Sequence, residues 1–345
     1  MVNKRRGIRV GFTYDLKSEH LARGASLEDV AEFESSETVE AITHSLTRLG
    51  FEVEPIGNIF SLVQQLSQGK RWDFVFNFAE GVHGLSREAQ VPCLLDAYQI
   101  PYVFSDSSTL SITHNKALCK QALQNSSVPT APFVLVRNLG DLEHCKLPYP
   151  LFVKPVAEGS GKGIGEKSVV LNEAELFEQS SFLLRAFQQP VLVETYLSGT
   201  EYTVGLVGSG DTAKVLGVME VHFTEFAEQK FYSFQNKKDF GDHISYKIPD
   251  QKVFQAVAQV ALEAWKHLGC RDGGRIDMRM DHKNTPHFIE VNPLPGLHPG
   301  FSDLVILAEF HGVFYHDLIR EIVTSAVSRI WPSEFTHFLQ PEELI

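Results

Sequence analysis

Little in this sequence points to a disulfide framework, a zinc centre or a membrane. The four cysteines, Cys93, Cys119, Cys145 and Cys270, lie far apart with no CxxC pair, which indicates neither thiolate zinc ligation nor a stapled scaffold and fits a reducing, cytoplasmic compartment. No apolar run approaches the roughly 18 residues of a membrane span. The basic start at Lys4, Arg5 and Arg6 meets Asp15 too soon for a signal peptide. The 14 histidines are scattered without an HExxH spacing, and no GxSxG elbow marks a serine hydrolase. Basic residues are scarce as well: 31 Lys and Arg face 43 Asp and Glu, a net charge of −12. A general nucleic-acid coat-binder is thereby disfavoured, and any anionic ligand must be held by local cations against the overall field. What is there, 345 residues of which 43% are hydrophobic and 21% charged, suffices for two or three globular domains.

Strand and helix signals alternate through the first third. Gly7 to Tyr14 reads as a strand; Ser36 to Leu49 carries Val39, Ile42, Leu46 and Leu49 at helical spacing and stops at Gly50. Strands at Phe51 to Ile56, Trp72 to Phe78 and Ile100 to Phe104 follow, with helices after Asn58 and from Arg87 to Tyr98 between them. Such alternation predicts a doubly wound parallel sheet over residues 1–110. The middle third, 111–200, starts with a helix from Thr113 to Asn125 and continues in short strands, Phe133 to Val136, Leu151 to Lys154 and Val191 to Glu194. A glycine-rich stretch joins Lys154 to the next strand, and a helix opens at Asn172 with Glu175 in a capping-box arrangement. In the last third, 201–345, a helix begins at Pro249 or Asp250 and ends at Gly269, and a hairpin runs from Arg275 to Asn292.

The hairpin carries the strongest chemical signal. Alternation puts Arg275, Asp277 and Arg279 on one face of its first strand, and Phe288, Glu290 and Asn292 on one face of its second, with Ile289 and Val291 opposite. Two carboxylates and an amide oxygen then converge, an oxygen-only set suited to Mg²⁺, with Arg275 able to neutralise a phosphate or an oxyanion. Spacing alone leaves an exposed, salt-bridged face open as well. The second signal is Glu158-Gly159-Ser160-Gly161-Lys162-Gly163-Ile164-Gly165, which joins strand to strand and misses the Walker pattern because Glu166 stands where glycine is needed. Its glycines free the backbone to approach an anion, and a flexible hairpin tip is the alternative. Lys116 and Lys154 are candidates for phosphate contacts, and Val193 to Leu197 crosses from strand to loop as an adenine-binding hinge would.

Taken in order, Lys116, Lys154, the Gly159 to Gly165 loop, Glu194, Glu201, Arg275-Ile276-Asp277, Glu290-Val291-Asn292 and Pro295-Gly296 resemble the ATP-grasp superfamily, and within it the D-alanine–D-alanine ligase-like enzymes. The most specific stretches are VFNFAEG with REAQVPCLLDAYQIPYVFSD, then LFVKPVAEGSGKGIG, then GRIDMRMD and FIEVNPLPGLHPGFSDL. The resemblance implies an N-terminal substrate domain of pre-ATP-grasp type followed by a two-lobed ATP-grasp fold. It also implies a cytoplasmic ligase that joins a carboxylate to an amine through an acyl phosphate, releasing ADP and phosphate. By position, Lys116 and Lys154 would hold phosphates, Glu158, Gly159, Ser160, Gly161 and Gly163 would close over them, Glu194, Thr195, Tyr196 and Leu197 would bind adenine, and Glu201 would bind ribose. Asp277, Glu290 and Asn292 would carry two Mg²⁺ ions, with Mn²⁺ as a substitute; Arg275 and the Gly296 N–H would stabilise the oxyanion. The partners implied are amino acids or other small carboxylates and amines, with neither nucleic acid nor membrane, in a homodimer.

Departures from the family pattern concentrate on the amino-acid half. The acidic residue expected in a Glu-x-x-x-Ser context after the first strand is not evident in Tyr14-Asp15-Leu16-Lys17-Ser18-Glu19-His20. In the lid, Lys237-Lys238 stands where the family has a tyrosine after lysine, the tyrosine of a Ser–Glu–Tyr hydrogen-bond set; Leu85 stands where the glutamate of that set belongs, Ser160 fits its serine, and one residue is inserted before Ser302. The main reading is a ligase whose substrates are related to two D-alanines. An authentic cell-wall D-alanine–D-alanine ligase and a nucleotide-binding scaffold without turnover are the two alternatives.

Overall fold

The computed structural model describes residues 7–27, 30, 32–223 and 244–332. Three strands, β1 (Arg9–Tyr14), β2 (Glu52–Gly57) and β3 (Phe74–Phe78), form a parallel sheet in the order β2-β1-β3. β1 is central, and its Val10 and Phe12 are fully buried, as expected for a strand covered on both faces. After α1 (Lys17–Ala22), helix α2 (Ser36–Arg48) starts where Ser35 Oγ accepts from the Thr38 N–H at 3.2 Å. α3 (Ile59–Ser67) starts where Asn58 Oδ1 accepts from the Phe60 and Ser61 N–H groups. The helix expected from Arg87 opens with a 3₁₀ turn, Arg87–Ala89, and continues as α4 (Gln90–Ala97). The strand expected at Ile100 to Phe104 is reduced to one bridge between Tyr102 and Val75, because the chain turns at Phe104 with φ 76°.

The helix expected from Thr113 to Asn125 is two helices, α5 (Ser107–His114) and α6 (Lys116–Leu123). They break at Asn115, which leaves the helical region (ψ 102°) and caps α6 by accepting from the Ala117 and Leu118 N–H groups at 3.1 Å. The break makes Lys116 the first residue of α6. A four-stranded antiparallel sheet then runs β4-β7-β5-β6, from β4 (Phe133–Val136), β5 (Leu151–Pro155), β6 (Val169–Val170) and β7 (Val191–Thr195), with α7 (Glu173–Phe187) against it. At the start of α7 the Asn172 side chain caps Glu175, but the Glu175 carboxylate returns to the Leu171 N–H at 2.8 Å, one residue before the position a capping box uses.

A five-stranded antiparallel sheet follows in the order β10-β9-β8-β11-β12, from β8 (Glu201–Val207), β9 (Lys214–Phe223), β10 (Ile244–Lys247), β11 (Gly273–Met280) and β12 (Pro286–Asn292). α8 (Gln251–His267), capped by Asp250, covers it with Val257, Ala261 and the fully buried Trp265. The last two helices, α9 (Asp303–Phe310) and α10 (Tyr315–Ile330), return to the start of the chain. Leu318, Ile319 and Ile322 share one core with Val10, Phe12, Phe74 and Phe76, so the end of the chain completes the first sheet's cover.

Asp272 fixes this closure. It is fully buried in the left-handed region (φ 65°) just before β11. Its carboxylate accepts from the Phe104 N–H at 2.8 Å, Ser209 Oγ at 3.1 Å, Ser325 Oγ at 2.9 Å and Arg329 Nη2 at 2.6 Å. Removing it leaves a buried N–H and a half-buried guanidinium without their acceptor. Asp272→Ala should lower unfolding stability by about 3 kcal/mol, read from urea denaturation; a loss below about 1 kcal/mol would contradict this role.

Candidate active site

Two connected cavities lie where the two antiparallel sheets face each other and the N-terminal segment. The first is a narrow cleft whose walls include Lys116, Lys154, Glu194 to Leu197, Glu201, Asp277 and Glu290. The second has a volume of about 420 Å³ and is bounded by Gly159, Ser160, Arg275, Asn292 and Gly296 together with acidic residues of the N-terminal segment. Lys116, Glu158 and Glu290 belong to both, and so mark the seam between them.

The floor of the cleft is a buried charge triad. Glu194 in β7 pairs with Lys154 of the neighbouring β5 at 2.7 Å and with Lys120 of α6 at 2.6 Å, and all three side chains are at most 4% exposed. Burial pushes the Glu194 carboxyl up, but the two ammoniums outweigh it and hold it at about 2. Burial pushes both lysines down; Lys120 stays below its ordinary value, whereas Glu194 and Glu290 carry Lys154 above its own. Lys154 therefore presents a firmly protonated ammonium to the cleft. Lys120 was not expected at the site, and its helical spacing of four from Lys116 on α6 was the available signal.

On the hinge, the Thr195 and Tyr196 N–H groups are committed to the Pro132 and Pro150 carbonyls at 3.0 and 3.2 Å. Tyr196 lies nearly parallel to Phe152, with an interplanar angle of 14°, and the Arg279 guanidinium sits 5.2 Å from its ring centre. These groups offer flat surfaces to a planar ligand. Glu201 meets Arg279 at 3.2 Å.

The hairpin brings Asp277 directly opposite Glu290 and Arg275 opposite Asn292. Between Asp277 and Met278 the register shifts, and Ile289 is the extra residue of a β-bulge. The alternation expected for β12 is corrected by that bulge: Phe288 is fully buried in the core with Ile276 and Met278, while Ile289 lies on the cleft wall beside Glu290. Each carboxylate has a cation at hand. Arg275 Nη1 bonds Asp277, Arg275 also lies 3.7 Å from Asp303, and Lys116 Nζ lies 3.2 Å from Glu290 while donating to the Glu158 carbonyl at 2.6 Å. Thr203 Oγ1 adds a 3.1 Å hydrogen bond to Asp277. Burial lowers the Arg275 affinity for its proton, and the surrounding Asp277, Asp303 and Glu290 charges more than restore it. The oxygens of Asp277, Glu290 and Asn292 are hard donors of the kind magnesium takes; among the described residues no group of three or more His, Cys, Asp or Glu side chains could hold a metal by itself.

The remaining expected residues divide. Gly163 is on neither cavity wall; its backbone (φ 72°) packs so closely that a Cβ would meet Pro155 at 2.6 Å. Lys237 and Lys238 lie outside the described residues. Leu85 is 45% exposed and on neither wall; Glu80 and Glu88, on the same stretch, face the second cavity instead. A Glu-x-x-x-Ser spacing occurs later than 14–20, in Glu32-Phe33-Glu34-Ser35-Ser36, and both Glu32 and Glu34 border the second cavity. α1 and its following loop displace this spacing from the first strand. Asp15 is structural, accepting from the Gly81 N–H at 2.9 Å.

A family model for the D-alanine–D-alanine ligase C-terminus matches residues 122–324. The chain belongs to the D-alanine–D-alanine ligase family. It is 28% identical over 268 residues to the D-alanine–D-alanine ligase of Cupriavidus taiwanensis, covering 76% of this chain and 78% of that protein. In fold it is similar to the VanG D-Ala:D-Ser ligase from Enterococcus faecalis (TM-score 0.72, 18% identity, 93% and 100% of the two chains). It is likewise similar to a D-alanine–D-alanine ligase from Bacillus anthracis complexed with ATP (TM-score 0.70, 22% identity, 95% and 99%). The fold is the ATP-grasp arrangement behind an N-terminal parallel sheet, and the protein is an ATP-dependent carboxylate–amine ligase.

The triad makes a testable demand on the ligase. Glu194→Gln leaves two buried ammoniums uncompensated and should cost about 3–5 kcal/mol. Because the folded carboxyl titrates at about 2 against a reference of 4.5, its stabilisation is complete above that reference and fades as pH falls toward 2. Urea unfolding at several pH values should show the gap between wild type and variant closing between about pH 5 and 2. A gap that stays constant would contradict the assignment.

Proposed function

We propose that this ligase joins two amino acids, the carboxylate of the first attacking the γ-phosphate of ATP and the amine of the second capturing the acyl phosphate. The observation that carries this reading is the seam, where Lys116, Glu158 and Glu290 border both the cleft and the larger cavity. A phosphate extending through the cleft and a carboxylate held in the second cavity meet there. The work asked of the protein is positioning and charge neutralisation, followed by oxyanion stabilisation.

In this reading Lys154 and Lys116 hold phosphate oxygens, and Glu158 to Gly161 cover them. Thr195 to Leu197 take the adenine, with Phe152 and Tyr196 as flat neighbours; because Glu194 is committed to its two lysines, it acts on the nucleotide through Lys154. Glu201 takes the ribose, steadied by Arg279. Asp277, Glu290 and Asn292 would hold two Mg²⁺ ions, which supply charge neutralisation on the phosphates when bound, and Mn²⁺ satisfies the same oxygen set. Arg275, which bonds Asp277 and lies beside Asp303, and the Gly296 N–H would receive the negative charge that develops on the attacked carbonyl oxygen. The acidic side chains Glu32 and Glu88 on the second cavity favour substrates that carry an ammonium; Glu80, pushed well up by burial and by the neighbouring Glu88 and Glu32 charges, adds a carboxyl rather than a charge. Four cysteines free of disulfides support a cytoplasmic setting, and a net charge of −12 supports small-molecule partners over nucleic acid. No helix among the described residues is long and apolar enough to cross a membrane.

The relatives' names make D-alanine the first compound to try. A pairwise screen of D- and L-amino acids with ATP and Mg²⁺, followed by phosphate release and mass spectrometry, should reveal one pair that drives ADP formation and yields a dipeptide. Nucleotide binding without amino-acid-dependent turnover would favour a scaffold instead. With the productive pair, Asp277→Asn or Glu290→Gln should cut turnover at least about 100-fold while circular dichroism shows the native fold retained, since each amide keeps the shape of the carboxylate it replaces. Near-normal turnover in either variant would remove the metal assignment.

A further inference from the structure

The glycine-rich loop between β5 and β6 has little in its own backbone to hold its position. Its internal bonds are the short turns Lys162 N–H to the Gly159 carbonyl and Ile164 N–H to the Gly161 carbonyl, both 3.0 Å. Ser160, Gly161 and Gly163 all sit at positive φ. Gly159, Ser160, Gly161 and Ile164 face the cavities, but Lys162 does not. Its side chain, 9% exposed, turns toward the N-terminal segment, where Nζ lies 3.3 Å from Glu32 Oε2 and 3.8 Å from Glu158.

Glu32 is itself fixed. Arg87 Nη2 donates to the same Oε2 at 2.8 Å, and Arg87 Nη1 donates to His114 Nε2 at 2.5 Å and to the Ala157 carbonyl, at the root of the loop, at 3.2 Å. His114 Nδ1 in turn lies 2.6 Å from Glu88. The Glu32 carboxylate also lies against the loop backbone: a Cβ on Gly159 would stand 2.0 Å from its Oε1. Every side chain in this run is at most 14% exposed, where water screens an ion pair poorly. Burial works against the Glu32 charge, and Arg87 and Lys162 overcome it to hold the carboxyl below its usual range.

We propose that Lys162 is a positioning residue which, through its ion pair with Glu32, holds the phosphate-covering loop closed against the N-terminal segment. The proposal rests on the ligase reading of the two cavities. The carboxylate that borders the second cavity is the same one that anchors the loop, so substrate and nucleotide are registered at a single group. Loop closure then depends on the charge at residue 162, and Lys162 makes no phosphate contact of its own.

The test uses the full chain and the variants Lys162→Met, Lys162→Arg and Glu32→Gln. Lys162→Met should speed hydrogen exchange of the 159–165 amides in nucleotide-free protein by about 10-fold or more. It should also lower kcat with the productive amino-acid pair by about 10- to 100-fold and leave the Kd for Mg²⁺–ADP within about three-fold, less than one hydrogen bond is worth. Lys162→Arg should restore exchange and kcat, and Glu32→Gln should reproduce the faster exchange. Unchanged exchange in Lys162→Met, a Kd that rises in step with the fall in kcat, or failure of arginine to rescue would each overturn the proposal. The nucleotide-free exchange judges the contact by itself. Failure of the wild type to bind Mg²⁺–ADP would instead overturn the ligase reading, so the two failures are separable.

Discussion

The site is built around Glu194. An acidic chain that handles a polyanion has to bury cations where the phosphates go, and a buried ammonium survives only beside a carboxylate. Glu194 supplies that carboxylate to Lys154 and Lys120 at once, from two neighbouring strands and a helix. Lys154 can then remain charged on a floor with almost no access to water. The same rule governs the opposite wall. Asp277 and Glu290 face each other across one ladder and are kept in place by Arg275 and Lys116. Cations and carboxylates therefore alternate around the seam.

How much of this was legible in the sequence follows from the reach of each interaction. Asp277 opposite Glu290 could be read because strand alternation is a local rule, and Lys116, Lys154 and the glycine loop could be read because they come in a family order. The bulge at Ile289 could not, since it reverses alternation at one residue without a glycine or proline to announce it. Phe288 consequently belongs to the core, and Ile289 to the cleft. The break at Asn115 carried a signal, an Asn at a cap position inside an otherwise helical pattern, and that signal is also what turns Lys116 into the cleft. Ile100 to Phe104 has strand composition, but the turn at Phe104 and the pull of Asp272 on its N–H are long-range facts.

The substrate side was less legible for the same reason. The spacing Glu32 to Ser36 was present in plain view, but α1 and its loop place it well beyond the first strand. Lys162 reads as one more lysine in a flexible loop until the fold sets it beside a carboxylate 130 residues away. His114 and Arg87 come together through a helix pair and a 3₁₀ turn, and no periodicity connects them. Family resemblance picks out residues that the fold gathers on the cleft wall, because they come in local motifs. The second cavity is assembled from side chains of separate segments, which no local motif announces.

The central proposed step is attack of a carboxylate on the γ-phosphate at the seam between the two cavities. The direct measurement is to supply the first amino acid with both carboxylate oxygens labelled with ¹⁸O, run the reaction with ATP and the second amino acid, and weigh the released phosphate. An acyl phosphate captured by the amine leaves one labelled oxygen in each phosphate and one in the new amide. Phosphate free of label, with product still formed, would contradict the account.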